Sequence, residues 1–405
     1  MISAAVDSPQ AWARLAVALA IATIGGVGMW SVVVVLPAVQ AEFGVARAAA
    51  SLPYTLTMLG FGAAGIAFGR WSDRFGIMRP VLAASVALGW GYLASGYATT
   101  LAGFALAQGL MIGAGSSVTF GPLLAHVSMW FARRRGIAVA LVASGNYLAG
   151  AVWPPIVQHF TETAGWRTAY AGIGVFVLAT MLPLALLLKR PPPAHHAATP
   201  GTRARAPASP EALGLSGNAL QLLLVVAGLA CCVAMAMPQV HIVAYCGDLG
   251  YGPARGAQML SLMLACGIVS RITFGFISDR VGGLRTLLLG STLQCVALVL
   301  FLPFDGLVSL FVISGLFGLF QGGIVPSYAI IVREYFAPGE AGARIGLVIM
   351  ATLVGMALGG WASGAIFDLT GGYRAAFVHG IAWNLVNLSI AWWLISRARA
   401  RPVLA

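Results

Sequence analysis

The chain alternates long apolar runs with short polar interruptions rich in arginine. Runs of helix length fall near residues 11–38, 47–69, 80–98, 101–131, 136–160 and 168–188. A second set falls near 216–246, 255–277, 285–303, 307–332, 341–367 and 374–396. Each is about as long as the roughly 20 residues that carry a helix across a bilayer, or longer. The pattern predicts an all-α membrane protein with twelve transmembrane helices. Between the two sets lies KRPPPAHHAATPGTRARAPASPEA, rich in Pro, Ala and basic residues and without an apolar period. That is the composition of a flexible linker. The expected organisation is a six-helix bundle over 1–189, a cytoplasmic linker over 190–215 and a second six-helix bundle over 216–405.

The two halves repeat. GRWSDRFGIMR, starting at Gly69, returns as GFISDRVGGLR at Gly275, 206 residues later. GWRTAYAGIG after the fifth run returns as GYRAAFVHGI after the eleventh, 207 residues later. Two matches at nearly one offset, each after the equivalent helix, imply parallel six-helix repeats.

Composition agrees with a chain immersed in lipid. Of 405 residues, 60% are hydrophobic and only 8% charged, against about 25% charged in an average soluble domain. The 51 glycines suit helices that pack closely in a membrane. A net charge of +12 raises the question of nucleic acid, but the basic residues are scattered through short loops and form no binding face. Of the 23 Lys and Arg, only Arg47, Arg167, Arg255 and Arg374 fall on one side, and Arg271 lies inside a span. The others gather on the opposite side or in the linker. The positive-inside rule then places both termini in the cytoplasm of a cell (inner) membrane. The N-terminus lacks a cleavable-signal pattern. The five cysteines form no CxxC pair and fall in or at the ends of apolar spans, as small buried hydrophobes do. No Walker motif, G-x-S-x-G or clustered metal ligands appear, so no enzyme activity, cofactor or metal is expected.

Arg271 is the residue that demands a reason. It stands eight residues before Asp279, the first charge of what reads as the following loop, so about 12 Å of helix separate them. The hydrocarbon core is about 30 Å thick. A mid-bilayer arginine costs at least about 2.5 kcal/mol, and it keeps its proton. All eleven acids fall in loops or at run ends, so no internal carboxylate is predicted to neutralise it. A substrate carboxylate accepting a bidentate pair would complete the site. His241 is the one deep group that titrates near neutral pH, about 10 Å inside the end of the seventh run. A histidine that only bonds a neighbouring helix is the alternative reading. Tyr54, Ser117, Thr119, Asn146, Tyr147, Gln321 and Tyr328 are the remaining polar candidates for a cavity. For each, packing between helices is an equal alternative.

The paired loops resemble the loop 2–3 signature of the major facilitator superfamily, close to G-x-x-x-D-R-x-G-x-R. The first copy is Gly69, Asp73, Arg74, Gly76 and Arg79; the second is Gly275, Asp279, Arg280, Gly282 and Arg285. The resemblance covers the whole chain. It implies a conformational gate in which Asp73, Arg74, Arg79, Asp279, Arg280 and Arg285 pair across helix ends in one state of the cycle. Within the superfamily, WFARRRGIAVALVASGNYLAG (130–150) resembles the helix 4–5 signature of monocarboxylate porters. The match includes Phe131, Arg133, Arg135, Ala138 and Gly145. It departs at Ala140, where glycine is usual, and in the position of the last glycine, Gly150. TIGGVGMW lacks the acidic residue of animal members, so the resemblance is to the bacterial branch, beside the oxalate/formate exchangers. That branch implies an eighth-helix arginine on the substrate carboxylate, the place of Arg271, and a seventh-helix histidine at the site, the place of His241. The expected activity is proton-coupled transport of small monocarboxylates such as lactate or pyruvate, by a monomer. The alternatives are organic anion exchange and, from another class, a non-transporting sensor on a transporter fold. A third transport reading, drug efflux, rests on the Gly136–Gly145 spacing alone and lacks that signature's closing Gly-Pro and Gly-Gly pairs.

Overall fold

The computed structural model describes residues 6–190, 192 and 209–400, except the side chains at 338, 399 and 400. Most of the expected linker lies outside the described residues. The described residues form twelve helical rods. In the first half these are α1 (Pro9–Phe43), α2 (Arg47–Phe75), α3 (Met78–Gly96), α4 (Leu101–Ser128), α5 (Arg135–Ala164) and α6 (Trp166–Leu186). In the second they are α7 (Gly217–Asp248), α8 (Pro253–Val281), α9 (Gly283–Leu300), α10 (Leu307–Tyr335), α11 (Gly339–Thr370) and α12 (Arg374–Ala398). Eleven are long and apolar enough to cross a membrane. The twelfth, α3, is 19 residues long and diluted by Gly, Ser, Tyr and Trp. The rods run past the predicted ends because the helix continues beyond the apolar stretch. Asp73, Arg74, Asp279 and Arg280 therefore sit in the last turns of α2 and α8 rather than in loops.

Four rods are interrupted. Gly26 breaks α1. A π-helical turn at Gln108–Gly113 widens α4, which is broken again at Val118–Phe120. Ser144 breaks α5, and Gly322–Gly323 breaks α10. Irregular backbone at membrane depth is tolerated where protein or a cavity surrounds it, and in transporters such breaks mark binding sites.

By contact the chain sorts into two compact units. One is Met1–Thr199 with Val243–Ala265; the other is Pro200–Ile242 with Cys266–Ala405. In the first, α3 meets α6 at Gly89 and Gly174, where a Cβ on Gly174 would lie 2.8 Å from the Gly89 carbonyl oxygen. Tyr92 and Tyr170 stack edge to face in its core, centroids 5.0 Å apart. In the second, Asn384 and Asn387 of α12 bond Ser291 of α9. Large apolar side chains such as Leu110, Phe276, Val308 and Trp392 stay exposed, as lipid-facing residues do.

Candidate functional site

In the second unit, Arg271 is half-buried on α8, one residue from Ser270 and three from Phe274. Those two residues pack on the break in α10. A Cβ on Gly322 would fall 2.5 Å from the Gly267 carbonyl oxygen and 2.8 Å from the Ser270 Cβ, and Gly323 lies against the Phe274 ring. Glycine is required there because the backbones touch. Arg271 thus stands at the edge of the seam between α8 and a broken helix. Gln321, the last residue before the break, accepts a 2.7 Å bond from Gln239 of α7, with both side chains buried.

His241 is fully enclosed, and its bonds run to α11 and to the start of α12. Nε2 is 2.8 Å from the Gly360 carbonyl oxygen. A carbonyl only accepts, so Nε2 carries the proton. Nδ1, 3.1 Å from the Tyr373 hydroxyl, then accepts from it. A hydroxyl can turn and accept instead, so the ring can take a second proton without moving. Tyr328 is also enclosed; its hydroxyl donates to Asn387 Oδ1 at 2.9 Å, and Asn387 Nδ2 donates to Ser291 Oγ at 2.6 Å. Its oxygen joins α10 to α9 and α12.

The first unit supplies the other candidates. Trp30 Nε1 donates to the Asn146 carbonyl at 3.2 Å and to its Oδ1 at 3.3 Å. Tyr147 is half-buried beside it, and Tyr54 is buried on α2. Ser117 and Thr119 turn back onto α4, donating to the carbonyls of Ala114 at 2.7 Å and Ser116 at 2.6 Å. Both hydroxyls are thus engaged by the backbone at the break. Two of the three glycines of the 130–150 stretch, Gly145 and Gly150, also acquire a role. A Cβ on Gly145 would meet Ala22 at 2.6 Å, and one on Gly150 would meet the Trp30 ring at 2.9 Å. Small residues there let α5 close on the break in α1.

At the signature helix ends, Gly76 and Gly282 hold equivalent positions with φ of 77° and 83°. Left-handed backbone of this kind favours glycine. Arg74 and Arg79 lie over the Phe75 ring, 5.2 and 5.6 Å from its centroid. Asp73 and Asp279 are exposed and, among the described residues, form no ion pair. Glu334 of α10 instead accepts from Gly283 N at 2.9 Å, a partner that the sequence reading missed. On the N-terminal side, Asp7 Oδ2 accepts from Arg133 N at 3.0 Å and Ala132 N at 3.3 Å. The Arg133 amide is the main reason that its carboxyl is held below the usual carboxylate range.

The model of the Major Facilitator Superfamily matches residues 18–307 and 247–404. The chain belongs to that superfamily. It is 30% identical over 348 residues to monocarboxylate transporter 13 of Rattus norvegicus, covering 82% of this chain and 78% of that protein. It is 29% identical over 353 residues to monocarboxylate transporter 11 of Homo sapiens, covering 82% and 71%. Among solved structures, a bacterial homologue of the human lysosomal transporter Spinster, inward-facing and unoccupied, aligns with a TM-score of 0.75 at 14% identity, covering 98% of each chain. The protein is therefore a multi-pass membrane transporter of this superfamily, not an enzyme. The paired helix-end glycines and the close α1–α5 packing are the physical content of the two signatures that pointed there.

Proposed function

We propose that this transporter carries a small monocarboxylate such as lactate or pyruvate, together with a proton, by alternating access. The observation that carries the reading is Arg271, a fixed cation in mid-helix beside the break in α10. Its planar fork matches one carboxylate. The relatives named monocarboxylate transporters support the substrate class. The α11 sequence has no charged residue between Arg344 and Asp368, so it offers no second fixed cation for a dicarboxylate. His241 is the proposed proton carrier, with the Tyr373 hydroxyl reversing its bond as the ring charges. Both termini are assigned to the cytoplasm of the inner membrane, on arginine distribution.

The test is uptake of labelled lactate, pyruvate, formate and oxalate by proteoliposomes with an imposed pH gradient. Arg271→Gln removes two charge-assisted hydrogen bonds, each about 1.5–3 kcal/mol. The expected loss of affinity is at least about a hundredfold, at about 1.4 kcal/mol per tenfold. Arg271→Lys keeps the charge but loses the fork and should fall between. His241→Gln should weaken pH-driven accumulation more than exchange of labelled for unlabelled substrate. Normal uptake by well-folded Arg271→Gln protein would sink the reading. Oxalate exchange without pH dependence would favour an anion exchanger.

A further inference from the structure

The two repeats end differently. Arg190, just past α6, and Arg397, in the last turn of α12, are 207 residues apart, the offset of the GWR and GYR segments. In the second repeat Arg397 Nη1 donates to the carbonyls of Leu213 and Gly214, each at 3.4 Å, and the guanidinium lies 4.2 Å from the Trp393 ring centroid. In the first repeat another arginine arrives from α1. Arg14, half-buried, donates Nη1 to the Leu187 carbonyl, and its guanidinium lies 5.3 Å from the Trp130 ring centroid. The residue 206 positions later in α7 is Leu220, apolar and enclosed. The Leu187 bond sets Arg14 against the turn that closes α6 and leads through Lys189 to Arg190. Arg190 is near enough for its charge to repel that of Arg14. All of these first-repeat residues belong to one compact unit.

Two like charges held together call for an anion. The end of a helix offers about half a negative charge, and the Leu187 carbonyl takes one of the five N–H donors of an arginine. No acidic side chain supplies the rest. All eleven lie among the described residues, and none forms an ion pair with Arg14, Lys189 or Arg190. Asp7, the acid closest to Arg14 in sequence, spends Oδ2 on the amides of Ala132 and Arg133. That loop also adds positive charge, as Arg133, Arg134 and Arg135. Topology does not demand such a run. Phe131–Ala132 returns 205 residues later as Phe336–Ala337, and there Pro338, Gly339 and Glu340 follow.

The same turn also offers apolar surface. Leu186 and Leu187 are each 56% exposed, and Leu187 is the residue whose carbonyl holds Arg14. Free phosphate would meet only the arginines. A phospholipid would meet the arginines with its headgroup and the two leucines with its chains, with Trp130 at headgroup level. We propose that Arg14 and Arg190, with Lys189 at the rim, bind the phosphate of an anionic phospholipid whose acyl chains lie along Leu186 and Leu187. The planar fork of Arg14 suits phosphate oxygens. The site does not depend on which substrate is carried.

The experiment uses the full-length protein in detergent, without substrate. Native mass spectrometry reads the fraction of protein carrying one added dioleoyl phosphatidylglycerol. The same titration with dioleoyl phosphatidylcholine gives the preference between the two lipids. The parent should favour phosphatidylglycerol, and Arg14→Gln and Arg190→Gln should each lower that preference about tenfold, the worth of one charge-assisted hydrogen bond. Arg397→Gln removes the same charge from the equivalent helix end of the second repeat and should keep the parental preference. Glycerol 3-phosphate, which has the phosphate without the chains, should leave the lipid bound even in large molar excess. If Arg14→Gln does not fold, Arg190→Gln carries the test, because its side chain is exposed. Equal binding of the two lipids by the parent would overturn the proposal, as would a parental preference in Arg190→Gln. So would an equal loss in Arg397→Gln, or displacement by glycerol 3-phosphate, which would make this a site for free phosphate.

Discussion

Replacing Gly322 with alanine tests whether the α8–α10 seam positions Arg271. The added Cβ would sit 2.5 Å from the Gly267 carbonyl oxygen. Close carbon–oxygen contacts settle at about 3.3–3.6 Å, so the helices must part by roughly 0.8–1.1 Å. The obstacle is backbone, and no side-chain rotation relieves it. Overpacking of this kind costs about 1–3 kcal/mol. The displacement also falls on the residue next to Arg271, because Ser270 is the second atom group in the way, at 2.8 Å. Misplacing a binding group by about 1 Å is worth up to about a hundredfold in rate. We expect Gly322→Ala to lower both the melting temperature in detergent and proteoliposome uptake, the latter about tenfold to a hundredfold. Gly346→Ala is the control. Gly346 lies in α11 with nothing within 4 Å of the added methyl, and a mid-helix Gly→Ala change there should stabilise by about 0.5–1 kcal/mol. A Gly322→Ala protein that melts and transports like the parent would refute the idea that this seam holds the arginine in place.

Tyr328→Phe should lower the melting temperature, by leaving Asn387 Oδ1 without its 2.9 Å donor at about 1–3 kcal/mol, while leaving the apparent KM unchanged; a raised KM would return Tyr328 to the substrate. Asp7→Asn should speed tryptic cleavage at Arg133 at neutral pH, because Asp7 is bonded to that residue's amide at 3.0 Å. The Asp7 carboxyl is held below its usual range, so its anchoring is complete above the ordinary value near 4 and is lost as pH falls through the lowered one. Parent and variant should therefore converge in acid, as read by an acid-active protease; a difference that persists there would contradict the assignment.

The spans were legible because lipid leaves a signal about twenty residues long, and all twelve runs, the one at 80–98 included, carry it. The α3 rod is the least apolar of the twelve, and the signature glycine before it, Gly76, repeated before α9 as Gly282, marks its start as well. Arg271 was legible because a charge in an apolar run stands out. The glycine pair at 322–323 was visible too, but its meaning depends on Gly267 and Ser270 lying opposite, 52–55 residues earlier in sequence. His241 illustrates what a sequence withholds. Its partners are 119 and 132 residues away, and one is a backbone carbonyl, which carries no residue identity at all. Ser117 and Thr119 read as cavity hydroxyls because the break at Val118–Phe120 contains no glycine or proline to announce it, and their acceptors are backbone carbonyls.

The same duplication bears on how many charges the carrier accepts. Counting back 206 residues from Arg271 reaches Gly65, at the same place in α2 that Arg271 holds in α8. One repeat thus keeps a glycine where the other keeps a permanent cation. A second arginine close to the first would repel it. At about 6 Å and an effective dielectric near 20, that repulsion is about 3 kcal/mol, relieved only by a ligand bearing two negative groups. A single arginine reverses the preference. One carboxylate neutralises it, and a second carboxylate would enter without a fixed partner and lose its hydration. On the proposed reading, preference for one carboxylate over two therefore follows from an arginine that one repeat carries and the other replaces with glycine.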